Sequence, residues 1–448
     1  MHRLSRIARR CACIAACNAS AFSFALPPVA LTAPDPMPLD FFGSSVAADG
    51  DRIVVASPMR QPVLKGRLFF FALRDGAWSS DGTWDTNWTG DGLGRSLALS
   101  GSVLIAGAPM RKESLSATKT MMGRAHVLQP GPSGWTPVHD IAPSSGGSSL
   151  GHLVGQSVAT DGAWCIVGEP GAYRVHFVRI DDGQASDKSH ASPGGMAILF
   201  GSSVAIAGEW AAVGRRTWGP DVMLLRLQED QTWQFDASIE SAADPSARFG
   251  EALAMRDDLL AISAPAPFAP SQHARGTVHL LHRIGDAWFD EATLEAPLDL
   301  FCEGFGRAIA IGDDRVAVGA VAAIDETAEI AAVFVFRRTV ERGAAAWTLT
   351  NTLVGSADED FGASLAFAGS RLVVGVPGAT VDGVDAAGAA LIFDLINADL
   401  DGDGVVDGAD LGELLGAWGA AKPGAPADFN GDGVVDGDDL GTLLAHWS

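Results

Sequence analysis

Tyrosine is nearly missing from this chain of 448 residues: Tyr173 stands alone beside 21 phenylalanines and 12 tryptophans. Chemistry built on a phenolate has a single place to sit. Cysteine is also scarce. Of five, Cys11, Cys13 and Cys17 fall in the first 17 residues, leaving only Cys165 and Cys302 for the body of the chain. Two distant cysteines make no disulfide framework, and both are expected as buried free thiols. Positive charge is the third shortage. Lys and Arg number 31 against 54 Asp and Glu, a formal net charge of −23, which argues against nucleic acid or an anionic lipid surface as partner. No run approaches about 18 uninterrupted apolar residues, so no transmembrane span is expected. The Gly-x-Ser-x-Gly elbow, the His-Glu-x-x-His helix and the Gly-x-x-x-x-Gly-Lys-Ser/Thr phosphate loop are all missing from the sequence.

What is present begins with a leader. His2, Arg3, Arg6, Arg9 and Arg10 occur before any acid, and a run of apolar and small residues follows from Cys11 to Ala25. Ala19-Ser20-Ala21 and Ser23-Phe24-Ala25 suit cleavage, so residues 1–25 read as a secretory signal peptide and the protein is expected outside the cell or on its surface.

The body repeats one pattern seven times: an apolar residue, Gly, any residue, Ser or Ala, an aliphatic residue, Ala. The copies start at Phe42, Leu93, Val154, Phe200, Phe249, Phe305 and Phe361, and their glycines are spaced by 51, 61, 46, 49, 56 and 56 residues. Each copy continues through a turn into a second apolar run, such as Leu104-Ile105-Ala106-Gly107-Ala108-Pro109. A third run follows, such as Leu68-Phe69-Phe70-Phe71, and in five copies a tryptophan marks a fourth (Trp78, Trp135, Trp233, Trp288, Trp347). Four short β runs per unit at periods near 50 predict an all-β, seven-bladed propeller over residues 26–396. The Gly, Ser and Ala of the first strand suit the crowded axis, and the aromatics suit the wider outer strands. The seventh copy lacks a fourth strand. The segment Leu26–Asp35 is expected to supply it at an outer edge, where its prolines are tolerated, and so to close the ring. The motif resembles the FG-GAP repeat of integrin α-subunit propellers and of secreted bacterial proteins. None of the copies has the Asp-x-Asp-x-Asp-Gly loop that integrin-type blades often bear, so metal-free blades are expected.

The end of the chain is an aspartate-dense duplication. Asp399–Asp410 and Asp428–Asp439 each place oxygen-bearing side chains at loop positions 1, 3, 5, 9 and 12, with glycine (Gly404, Gly433) at position 6. This is the spacing of the 12-residue calcium loop, in which the position-7 ligand is a backbone carbonyl. The expected ligands are Asp399, Asp401, Asp403, the Val405 carbonyl, Asp407 and Asp410 for one ion. For the other they are Asp428, Asn430, Asp432, the Val434 carbonyl, Asp436 and Asp439. Leu411, Leu414, Leu415 and Trp418 then recur at helical spacing, as do Leu440, Leu443, Leu444 and Trp447. No helix is expected before either loop, since Ala390–Ile396 is β-like and Lys422–Ala427 holds two prolines. Loop then helix, twice, resembles a type I dockerin over residues 397–448. The resemblance implies a small α-helical module with two EF-hand-type loops, two bound Ca2+ ions and a cohesin-like protein partner. With eleven acids and one base, Lys422, this tail repels itself until cations neutralise it.

Catalytic candidates are weaker. His126, His176 and His279 fall in third runs where other copies have Phe69 or Phe334, so they read as planar fillers of one packing site rather than as metal ligands. Ser79–Trp84 is similar to the Asp-box turn of sialidases but is short by two residues and occurs once. Glu169, Glu251 and Glu303 read as solvated loop carboxylates at strand ends. No catalytic residue is assigned. The sequence therefore favours a secreted, non-enzymatic binding or adhesion protein, with a rim presented to protein or glycan. The alternative is a dockerin-tethered extracellular enzyme acting on polysaccharide.

Overall fold

The structure, a computed structural model, describes residues 28–448 apart from 61–63, 113–120, 133, 145–150, 182–183, 193–198, 218, 241–247, 266–275, 298–300, 326–327, 342–343, 396–397, 399, 402–404, 422–424, 430–432, 446 and 448. The leader expected at 1–25 lies outside the described residues.

Among the described residues seven four-stranded antiparallel sheets are arranged as blades, six of them running in chain order from the axis outward and the seventh taking its outermost strand from the N-terminal segment. The innermost strands are Ser45–Asp49, Ser96–Ser100, Val158–Thr160, Ser203–Ala207, Leu253–Arg256, Phe301–Ile311 and Leu365–Ala368. Each touches the innermost strands of the blades before and after it, the last touching the first, so the circle is closed. The second strands, such as Val103–Ala108 and Trp164–Glu169, are buried along their whole length. A blade stacked between two others has both faces covered, which is why these strands read as continuous apolar runs rather than alternating ones. Outer strands such as Gly134–Ile141 and Ala344–Ser356 are half exposed. The expected outer tryptophans lie in fourth strands, and Ser79–Trp84 lies within the plain strand Ala77–Asp85 rather than in an Asp-box turn.

Closure uses the N-terminal segment as expected. Val29–Leu31 pairs antiparallel with the third strand of blade seven, Ala389–Asp394, in the register Val29 to Ile392 and Leu31 to Ala390. Leu31 and Ala33 join Phe42, Val46, Phe69, Val373 and Ile392 in one hydrophobic cluster spanning the seam. Arg60, almost fully buried, adds ion pairs to Asp35 at 2.7 Å and Asp40 at 3.7 Å.

The motif serine does more than save space. Its hydroxyl donates to the carbonyl of the next blade's motif glycine: Ser45 to Gly94 (2.5 Å), Ser96 to Gly155 (2.8 Å), Ser157 to Gly201 (2.8 Å) and Ser203 to Gly250 (2.5 Å). Ser364 of blade seven donates to Gly43 of blade one at 2.9 Å, across 321 residues of sequence. Blades five and six carry Ala252 and Ala308 there instead. At four of these five joints the accepted carbonyl also lies over a second-strand glycine, and in blade one Ala56 stands there instead. A Cβ on Gly375 would stand 2.1 Å from the Gly43 oxygen, and Gly107, Gly168 and Gly214 repeat this close approach. Gly43 itself has φ +92°, a backbone region that an L side chain enters only with strain.

The C-terminal segment has its own small core, built in duplicate. Helix α1 (Gly408–Gly416) and helix α2 (Gly437–Ala445) follow the two loops. Ala398, Val406 and Leu414 cluster with their counterparts Ala427, Val435 and Leu443. Among the described residues no helix leads directly into either loop.

Two substitutions test the joint. Ser364→Ala is expected to lower stability by about 1 kcal/mol, rising toward about 3 if the Gly43 carbonyl is left unpaired. Gly375→Ala should cost more, because backbone cannot move away as a side chain can. Denaturant unfolding measures both, and equal midpoints for wild type and Gly375→Ala would refute the joint.

Candidate functional site

In the tail, Asp399, Asp403, Asn430 and Asp432 lie outside the described residues. The remaining expected ligands share a duplicated geometry. Asp410 and Asp439, at position 12, are fully buried, and Asp428, at position 1, nearly so. Asp410 Oδ1 accepts from the amides of Leu400 (2.5 Å) and Asp401 (3.2 Å), and its Oδ2 from that of Asp407 (2.8 Å). Asp439 does likewise with Phe429 (2.6 Å) and Asp436 (2.9 Å). Each position-12 carboxylate thus draws the start of its loop toward the end. Burial works against ionisation of Asp410, but the amides of Asp407, Asp401 and Leu400 outweigh it and hold its pKa below the usual carboxylate value.

Asp407 and Asp436 cap the helices by accepting from Ala409 and Asp438, at 2.8 and 2.9 Å. With Asp410, Asp407 forms a capping box. Asp428 accepts from the amide of Gly433 at 3.0 Å, bracing position 1 against position 6, and Gly433 has φ +87°. Val406 and Val435 fill the core while the side chains of Val405 and Val434 face out. These are hard oxygen donors on a tightly turned backbone, the donor type that calcium takes. No group of three or more His, Cys, Asp or Glu is gathered as a metal site among the described residues.

In the ring, one polar cluster departs from expectation. Glu169 is not a solvated loop carboxylate but is fully buried. It ends the second strand of blade three, where blades one and two have Ser57 and Ala108. Its Oε1 accepts from the Ser144 amide (2.9 Å) and hydroxyl (3.0 Å) and pairs with His152 Nδ1, while its Oε2 meets His176 Nε2 at 2.9 Å. Ser144 and His152 flank the connection from blade two to blade three, so Glu169 anchors both ends of that connection. His176 is therefore part of a polar cluster rather than a mere filler. His126 and His279 pack edge-on to Trp84 at 5.3 Å and to Phe249 at 5.5 Å, and His126 also pairs with Asp140 at 2.6 Å. Glu251 is exposed and paired with Arg248, and the side chain of Glu303 lies outside the described residues. Cys165 is a buried free thiol, its pKa pushed up to about 12 by burial, and the Cys302 side chain is outside the described residues.

The cluster left a faint trace in the sequence, a glutamate standing where sister repeats have a small residue. Its histidine partners come from a connection and from a neighbouring strand, which only the fold brings together.

Residues 29–67 match the family model of the FG-GAP repeat. The match covers the closing strand, the Phe42-Gly43 motif and the second strand of blade one. No curated protein matches the chain. Among solved structures it is similar to one from Bacteroides uniformis ATCC 8492, described provisionally as a 6-phosphogluconolactonase. The identity is 12% and the TM-score 0.48, over 72% of this chain and 88% of that one. No helix among the described residues is long and apolar enough to cross a membrane.

Burial would raise the Glu169 pKa, but the His176 and His152 rings and the Ser144 amide outweigh burial and hold it below the usual value. A depressed carboxylate stabilises the fold fully above its unfolded pKa, about 4.3, and loses that contribution as pH falls through the folded pKa. Glu169→Gln is expected to cost about 3 kcal/mol near pH 7, with the gap to wild type narrowing below about pH 4. Melting curves across that range measure it, and parallel curves would contradict it.

Proposed function

We propose that this is a secreted, non-enzymatic binding protein. Its ring presents the connections between blades, on one rim, to a protein or glycan. Its tail, loaded with two Ca2+ ions, attaches it to a protein partner in a cohesin-like manner. The observation that carries this reading is the FG-GAP repeat set in a closed ring: the residues that recur from blade to blade make the joints, and the connections are left to differ. The leader at residues 1–25 supports export, and extracellular calcium suits loops of this kind.

Residues Asp399, Asp401, Asp403, Val405, Asp407 and Asp410 would hold one ion, and Asp428, Asn430, Asp432, Val434, Asp436 and Asp439 the other. Bound calcium would offset the charge of a segment with eleven acids and one base. Because the ligands are assembled only by the folded loops, binding should appear as added stability of the tail.

Calorimetric titration of the full chain should find two calcium ions per molecule, and Asp399→Ala combined with Asp410→Ala should remove one. Identical tail hydrogen exchange in chelator and in calcium would count against the loops. Immobilised protein should capture a cohesin module in calcium and release it in chelator. Robust release of reducing sugar from a polysaccharide panel would replace the binding reading with that of a tethered enzyme.

A further inference from the structure

We propose that the cleft between blades two and three binds an oxyanion, the carboxylate or phosphate of a small ligand. The proposal rests on the reading of the ring as a binder and deepens it by naming a site and a ligand chemistry.

The cleft has a volume of about 380 Å³ and is lined by His139 and Asp140 of blade two, Ser144 of the connection, and Arg174, His176 and Ser189 of blade three. The fold explains why these groups converge. Arg174 and His176 are two residues apart on one strand and share a face. Ser189 lies opposite His176 in register on the outer strand, on that same face. The Arg174 guanidinium donates to Ser189 Oγ at 3.2 Å, which uses one of its five N–H donors in holding it at the cleft. Below, Glu169 fixes His176 and Ser144 at the cleft wall.

Charge then selects the ligand. The two carboxylates nearby are already engaged. Glu169 takes hydrogen bonds from His176, His152 and Ser144, and Asp140 pairs with His126 Nδ1 at 2.6 Å, with Arg124 and Arg111 close enough to bias its charge. Arg174 is the cationic side chain that lines the cleft, in a chain whose net charge is −23. His139 Nε2 is buried without a hydrogen-bond partner among the described residues. A guanidinium fork beside the Ser189 hydroxyl matches the planar or tetrahedral oxygens of a carboxylate or phosphate.

The test uses the full chain, titrated calorimetrically with sodium phosphate and with sodium acetate, against sodium chloride at matched ionic strength. One of the two anions should bind saturably while chloride does not, and which one binds identifies the source of the oxyanion. Arg174→Gln, which removes the charge and keeps a polar amide on a shorter stem, should weaken binding at least about tenfold, the loss of one charge-assisted contact. If that variant fails to fold, His139→Ala serves in its place with a loss in the same direction. No saturable binding of either anion, or unchanged affinity in the folded variant, overturns the proposal. Arraying wild type and Arg174→Gln on defined glycans and proteins separates the two readings. Equal capture by both would keep the ring a binder while removing this cleft from it.

Discussion

Four of the seven blade interfaces share one joint: the carbonyl of a motif glycine seated between a serine hydroxyl and a second-strand glycine of the preceding blade. A sheet buried on both faces can slide against its neighbours, because apolar contact is not directional. A hydrogen bond to a backbone carbonyl is directional, and a carbonyl lying over a glycine Cα admits no larger side chain. Together they fix the spacing and rotation of one blade on the next. At the seam, Ser364 and Gly375 on one side and Gly43 on the other make this joint across nearly the whole chain. The pairing of Val29–Leu31 with blade seven then ties the two ends of the ring chain together on the outside.

With the inner strands committed to joints, variation is left to the connections. The connection from blade two to blade three shows how such a loop acquires chemistry. A buried glutamate replaces a small residue, recruits Ser144 and His152 from the two sides of the loop, and orients His176 toward a cleft. Burying a carboxylate is costly unless hydrogen bonds surround it, and here they do. The same contacts that satisfy the charge also hold Ser144 and His176 at the cleft, so stability and site share one set of bonds.

In the tail, a few carboxylates serve two ends. Asp407 and Asp410 satisfy amides at the start of α1 and draw the loop inward, and both belong to the expected cage for an ion. The alternation that buries Val406 and Val435 while turning the side chains of Val405 and Val434 outward keeps the two halves packed on each other. A segment this acidic is held together by a small core and by amide donors.

Periodicity made the ring legible in the sequence. Seven recurrences of one motif specify seven units, and the missing fourth strand of the last unit calls for the N-terminal segment to fill it. Spacing likewise made the two C-terminal helices legible, because local backbone geometry suffices for them. The serine staples were not legible, since serine and alanine are equally small and only the position of the next blade's carbonyl distinguishes them. Glu169 was not legible as a buried group either. Its environment is made by residues 17 and 25 positions before it and 7 after it, drawn from two blades. The sequence by itself determined the repeat, the closure and the two terminal helices, all of which follow from pattern along the chain. Which polar groups are hidden, and which of them meet, was decided by the stacking of the blades, because burial is a property of neighbours in space.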